Sequence, residues 1–412
     1  MSQILFENCT LLDTTAAQLL PDHHVLVEGD RIVEVSDRPI SASDAVSVDV
    51  GGRTLMPGLI DAHVHATITT MSLEAMARKP VTLVMHEARP ILEGMLARGF
   101  TTIRDAGGAD YGLAEAVDRG LINGPRIFHC GRPLSQTGGH GDQRPLEDSP
   151  RLCGCSVETD LLSHVADGVD TVRKVAREEL RKGAHAIKIM ASGGVASPSD
   201  PIWNTQYSRD EIRAIVEEAA SWHTYVLAHA YTAGAIARAV EEGVRTIEHG
   251  NLIDRPTAEL MAERKAFIVP TLVAYTAIDR FGRDFGFPEV SMRKVKYVLD
   301  SGLSSLEISK EAGVRIGFGT DLLGELHEHQ SEEFLIRSEA LSPMEIIQSA
   351  TVVNAEILNQ DGELGVIAPG ATADILVVDG DPTKDLQLFQ EQGAHLPVIM
   401  KAGEFAVNRL ES

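Results

Sequence analysis

Cysteine is scarce: four in 412 residues, Cys9, Cys130, Cys153 and Cys155, too few and too scattered for a disulfide framework. Cys153-Gly154-Cys155 has no second pair to complete a structural zinc site, so all four read as reduced thiols. Basic charge is also short, with 37 Lys and Arg against 60 Asp and Glu and a formal net charge of -23. With a pI near 5.0 and no run of Lys and Arg, the surface repels a phosphate backbone, which argues against nucleic acid as a partner. No uncharged apolar run approaches the roughly 20 residues that a bilayer span needs. The first 15 residues have no basic segment followed by a long apolar one. No membrane association and a cytoplasmic setting are therefore expected. Solenoid-length repeats and low-complexity linkers are absent as well.

What the chain does have is an ordinary globular composition, 43% hydrophobic and 24% charged, enough for one large core and a smaller module. Residues 1–57 alternate short β-rich runs such as "ILFENCTLL" and "HHVLVEGDRIVEVS" with polar turns. From residue 58 the texture changes to apolar runs separated by helical patterns, the mark of repeated βα units. Eight runs can be counted: "LIDAHVH", "FTTIRDA", "RIFHCG", "AIKIM", "YVLAHA", "TIEHG", "AFIVPTL" and "RIGFGTD". Eight βα units over about 300 residues fit a closed (β/α)8 TIM barrel better than an open sheet. Helix starts are legible between them: Ser208 with Glu211, and Ser342 with Glu345, have capping-box spacing, the second with Pro343 at the first helical position. After residue 360 short strands return. The expected fold is thus an α/β barrel over 58–359, flanked by a small β-sandwich module built from both chain ends, 1–57 plus 360–412. Neither end alone supplies enough strands for a covered sheet.

Within the first run, "LIDAHVHA" places His63 and His65 two residues apart, so both project from one face at the carboxyl end of a barrel strand, where such folds site their chemistry. A lone strand histidine is more often a satisfied core residue. Here it has company: Lys188, His229, His249 and Asp321 sit late in other runs. Burying an unpaired Lys or Asp among apolar residues costs several kcal/mol, so such groups are paired or bind a metal. Six of them at one end of successive strands favour a common site over independent ion pairs. Imidazoles with a carboxylate suit zinc and its divalent neighbours. An ammonium between two cations would be repelled, so Lys188 must be neutral or modified; a carbamate formed with carbon dioxide would give a two-oxygen bridging group.

Two further residues lie in the loops and strand ends. His140 is on the Gly-rich "SQTGGHGD" loop after the third run, and Tyr231 shares a strand face with His229. "MASGGVASPSDP" follows Lys188, with Gly193 and Gly194 either forming pocket wall or serving as plain turn residues. Arg104 and Asp105 read as structural. His86, His223, His327 and His329 have no motif and read as surface or helix residues.

Pro57-Gly58-Leu59-Ile60-Asp61-Ala62-His63-Val64-His65, with Lys188, His229, His249, Asp321 and "GVIAPGATADILVVDGDP", resembles the metal-dependent amidohydrolase superfamily over nearly the full length. The words "TGGHGD" and "HAYTAGA" resemble its prolidase-like dipeptidase branch, near the ochratoxin amidohydrolases. The resemblance implies two divalent ions, zinc being the expected metal. His63, His65 and Asp321 would hold one, His229 and His249 the other, and N6-carboxylated Lys188 would bridge them. A hydroxide shared by the two ions would attack the amide, Asp321 would act as general base and then acid, and His140 and Tyr231 would hydrogen-bond the oxyanion. It implies a small-molecule substrate, a dipeptide or N-acyl amino acid, and a homo-oligomer. Two alternatives stay open. One is an imidazolonepropionase-like or deaminase-type hydrolase with one metal, a branch that lacks the strand-four lysine; the other is a non-catalytic metal-binding protein.

Overall fold

Each of the eight runs forms a parallel strand in the computed structural model, which describes residues 3–76, 78–144, 162–197 and 200–410. The strands are β1 (Leu59–Val64), β2 (Phe100–Asp105), β3 (Arg126–His129), β4 (Ile187–Met190), β5 (Val226–Thr232), β6 (Thr246–Leu252), β7 (Phe267–Val269) and β8 (Arg315–Ile316). β1 to β3 pair in order, as do β4 to β8. Two seams close the ring. His185 N donates to His129 O at 2.9 Å between β3 and β4, and Ala62 N donates to Phe318 O at 2.8 Å between β8 and β1. Two short strands absent from the sequence reading, Leu134–Ser135 and His164–Val165, pair beside β4.

β8 is much shorter than its apolar run suggested, because Gly317 and Gly319 bring the following backbone hard against its neighbours. A Cβ on Gly319 would stand 2.8 Å from the Cβ of His63, and one on Gly317 would stand 2.6 Å from Ile357 Cδ1. Helices Val169–Arg181, Arg209–Ser221, Ala233–Glu241 and Arg255–Glu263 follow β3 to β6 and cover the ring. Arg209–Ser221 buries Ile212, Ile215 and Ala219, a helical stripe. Both capping boxes form, at Ser208 with Glu211 and at Ser342 with Glu345. Ser208→Ala is expected to destabilise the fold by about 1 kcal/mol. Over a chain this long, that lowers Tm by only about 1–2 °C in a thermal melt.

The terminal strands form one mixed sheet from both chain ends, running through Glu404–Asn408, Val398–Lys401, Ile375–Val378, Thr54–Pro57, Gln3–Asp13, Gln18–Glu28 and Arg31–Ser36. Phe6 and Phe405 lie four strand steps apart in that order, about 19 Å on a flat sheet. Their ring centroids are nevertheless 6.2 Å apart, so the sheet curls over on itself. Alternation explains how the module docks. Ile375 and Val377 face its interior, while Leu376 and Val378 join Leu59, Phe100 and Phe318 of the barrel. Cys9 and Cys130 are buried free thiols; Cys153 and Cys155 lie outside the described residues.

Candidate metal centre

The carboxyl ends of β1, β4, β5 and β6 and the segment after β8 deliver six polar side chains to one place. His63 is on β1 and His65 just beyond it, their rings 5.3 Å apart. Their Nε2 atoms stand 3.4 and 3.2 Å from Asp321 Oδ1. Lys188 Nζ on β4 is 3.4 Å from His63 Nε2. His249 Nε2 on β6 is 2.9 Å from His229 Nδ1 on β5, and its Nδ1 is 3.9 Å from Asp321 Oδ2. Donor atoms of His63, His249 and Asp321 all lie within 4.8 Å of one another. His249 (φ 74°) and Asp321 (φ 52°) are both in the left-handed region, a local strain of about 1–3 kcal/mol each that the surrounding ring must sustain.

Each imidazole is held from behind through one nitrogen, leaving the other for an ion. His63 Nδ1 donates to Glu248 Oε2 at 2.6 Å, and Arg104 donates to both oxygens of Glu248 at 2.8 Å. His65 Nδ1 donates to Gly107 O at 2.7 Å, and His249 Nδ1 meets Thr271 Oγ1 at 2.8 Å. For His229 the roles of the two nitrogens are reversed, with Nε2 3.3 Å from Gly193 O. Burial holds His229 and His249 well below the usual imidazole range, which keeps them in the neutral form that binds metal. Burial pushes the Asp321 carboxyl up, but His63 and His65 outweigh it and hold the group ionised. Burial also lowers the Lys188 amine, which has no ion pair among the described residues. Four imidazoles, one carboxylate and a desolvated amine in so small a volume make a donor set that fits a divalent metal ion.

Glu248, a fully buried carboxylate one residue before His249, is a site residue that no motif marks in the sequence. The signal was the same one that marked Lys188, a charged residue inside an apolar run. Arg104 and Asp105 are structural but do not pair with each other. Asp105 accepts from the backbone of Ala66, Gly107 and Ala109. His86 and His223 are exposed, and His329 stacks on Phe281. His327 is not a surface residue: it is buried, and burial lowers its imidazole to about 3.

Above the cluster opens a cavity of about 100 Å³, with Ile68, Leu73, Val195, Ile278 and Leu323 among its apolar walls. His140 and Tyr231 also line it. The His140 ring stacks on His229 with centroids 4.3 Å apart, and Tyr231 stacks on His249 at 5.0 Å. The Tyr231 hydroxyl is 2.9 Å from that of Tyr275, and burial raises its phenol so that it stays protonated. Gly193 and Gly194 stand behind the two histidines, while Val195 and Ala196 face the cavity. A Cβ on Gly194 would fall 2.3 Å from His140 Cε1. Gly194→Ala is therefore expected to displace His140 and lower kcat by about tenfold or more with metal content unchanged, since a displacement of about 1 Å can cost 10²-fold.

The amidohydrolase family model covers residues 54–404, and the chain belongs to the amidohydrolase family. Ochratoxinase of Aspergillus niger is 32% identical over 354 residues, spanning 82% of this chain and 73% of that protein. A solved amidohydrolase structure is 55% identical, with a TM-score of 0.97 over 100% of both chains. A prolidase solved with N-methylphosphonate-L-proline is 52% identical, with a TM-score of 0.96 over 99% of this chain and 100% of that one. The protein is an enzyme of this fold that hydrolyses C–N bonds at a metal-dependent site. Among the described residues no helix is long and apolar enough to cross a membrane.

Proposed function

We propose that the chain is a binuclear hydrolase that cleaves the amide bond of dipeptides or N-acyl amino acids and releases a carboxyl-terminal amino acid. The observation that carries this reading is Lys188, a buried amine with no ion pair among the described residues, set against His63 in a cluster of ligand-type side chains. Burial lowers this amine towards the unprotonated form, the form that condenses with carbon dioxide. In this reading His63, His65 and Asp321 would hold one ion and His229 and His249 the other, with carboxylated Lys188 as a further ligand. Bound divalent ions, zinc in this reading, would draw a nucleophile from water near neutral pH and polarise the scissile carbonyl. The chain's own residues do the rest. Asp321 takes the proton on its carboxylate and passes it to the departing nitrogen. The Tyr231 hydroxyl and the His140 ring hold the carbonyl oxygen as charge develops on it. Gly193 and Gly194 act through His229 and His140. The barrel unit spans 58–359 and the module 1–57 plus 360–412.

The test is reconstitution with zinc or manganese and bicarbonate, followed by a screen of Xaa-Pro, Xaa-Arg and Xaa-Lys dipeptides, N-acyl amino acids and ochratoxin A. Release of the free amino acid is expected, with two ions per chain and activity that rises with bicarbonate. The close grouping of His63, His249 and Asp321 favours a second reading with a single ion. One ion per chain at full, bicarbonate-independent activity would select it.

A further inference from the structure

Ser192, Gly193 and Asp200, which follow β4 in the chain, touch three residues of the site at once. Tyr231 N donates to Ser192 Oγ at 3.1 Å, and the Gly193 carbonyl lies against His229 Nε2. Asp200 reaches His140, Oδ2 lying 3.2 Å from Nδ1. The Asp200 side chain is wholly buried and is itself over-determined: Gly194 N donates to Oδ2 at 2.9 Å and Gln206 Nε2 at 3.3 Å. Gln206 Oε1 meanwhile accepts from His140 N at 2.9 Å, so the same residue fixes both the backbone of His140 and the carboxylate that faces its ring. Behind these residues, on helix Glu289–Ala312, Lys294 Nζ donates to three carbonyls, Gly194 O at 3.0 Å, Ser197 O at 2.6 Å and Asp200 O at 2.6 Å. An ammonium gathering three carbonyls acts as a fixed cation would, drawing those three oxygens to one point.

We propose that Asp200 is a positioning residue for His140, and that Lys294 sets Asp200 in place. Asp200 accepts a hydrogen bond from Nδ1–H of the ring, which holds the imidazole parallel to His229 and leaves Nε2 as the nitrogen offered to a bound molecule. A neutral imidazole without that carboxylate is free to place its proton on either nitrogen. Neither Asp200 nor Lys294 touches the reacting atoms; both act through His140. The catalytic half of this inference rests on the amide-hydrolase reading, whereas the ring geometry does not.

A double-mutant cycle on the zinc-loaded enzyme tests it. Asp200→Asn is expected to lower kcat about 10- to 100-fold, the scale of partners that orient functional imidazoles, with KM changed less than threefold and zinc content unchanged. In a His140→Gln background the same substitution should cost less than about twofold. Lys294→Met should reproduce a milder form of the kcat loss, and Lys294→Arg, which keeps the donors, should restore most of it. An equal loss from Asp200→Asn in both backgrounds overturns the proposal, because Asp200 would then be a structural residue independent of His140. Histidine ring ¹⁵N spectra provide a reading without turnover. The proton of His140 is expected on Nδ1 in the parent and no longer confined there in Asp200→Asn. A bare Nδ1 in the parent overturns the pairing even if no amide substrate is found. A protonated Nδ1 in a protein that hydrolyses no amide sustains the pairing and defeats only the assigned reaction.

Discussion

Asp321→Asn is expected to lower kcat by about 10² to 10⁴, the range carried by a positioned acid–base group. The substitution removes the charge and the proton site while keeping the shape. Asparagine has the same shape, and it tolerates the left-handed φ of 52° at this position better than most residues, so backbone strain is not increased. Its side-chain oxygen can still face Nε2 of His63 and His65, which stand 3.4 and 3.2 Å from Oδ1 in the parent. What is lost is a charge and a site for the travelling proton. The measurement is kcat at saturating zinc, with metal content and a thermal melt on the same sample. A loaded, folded Asp321→Asn enzyme with more than a tenth of the parent turnover would place the proton route elsewhere.

The barrel was legible in the sequence because its strands are short apolar runs bounded by turn residues, and each of the eight runs became a strand. The metal centre was legible for the opposite reason: polar residues interrupt those runs where nothing apolar would. His63 and His65 share one face at the end of β1, and parallel pairing sets His229 two positions beyond Leu227, the partner of Lys188, on the same face. His249 pairs with Ala230 on the opposite face, and it is in the left-handed region, φ 74°, as is Asp321 beyond β8, φ 52°. The rest depended on contacts that local pattern does not encode. Asp200 meets His140 across 60 positions of chain. Glu248 and Arg104 find each other across 144, and each taken alone reads as an ordinary charged residue. Tyr275 lies on helix Leu272–Phe281, whose buried face is otherwise apolar, so its approach to Tyr231 was hidden among core positions. The truncation of β8 follows from two glycines whose importance is visible only once His63 is seen pressed against the chain at Gly319.

Glu248→Gln is expected to weaken both the fold and the metal site, for separable reasons. Glu248 and Arg104 are fully buried, and Arg104 spends its donors on the two carboxylate oxygens, Ala62 O, Thr246 Oγ1 and the Tyr225 hydroxyl. Neutralising the carboxylate leaves a guanidinium unpaired in the interior, a loss of about 3–5 kcal/mol. Burial pushes the Glu248 carboxyl up, but Arg104 and then His63 outweigh it and hold it well below the ordinary range. A carboxyl depressed in the folded state contributes stability that is fully present above its unfolded value and is lost as pH falls through the folded one. The deficit of the variant should therefore be flat from pH 8 to about 5 and shrink below about pH 4 in urea titrations. The metal effect comes through His63, whose Nδ1 would face a neutral amide, and affinity in a chelator competition should fall about 10- to 100-fold. Replacing both partners with Arg104→Met and Glu248→Leu should restore much of the stability, since no charge is then stranded. Metal affinity should stay low in that double variant, because His63 has still lost its anchor. If affinity returned along with stability, Glu248 would be a packing partner of Arg104 alone, and the orientation of His63 would have to come from elsewhere on β1.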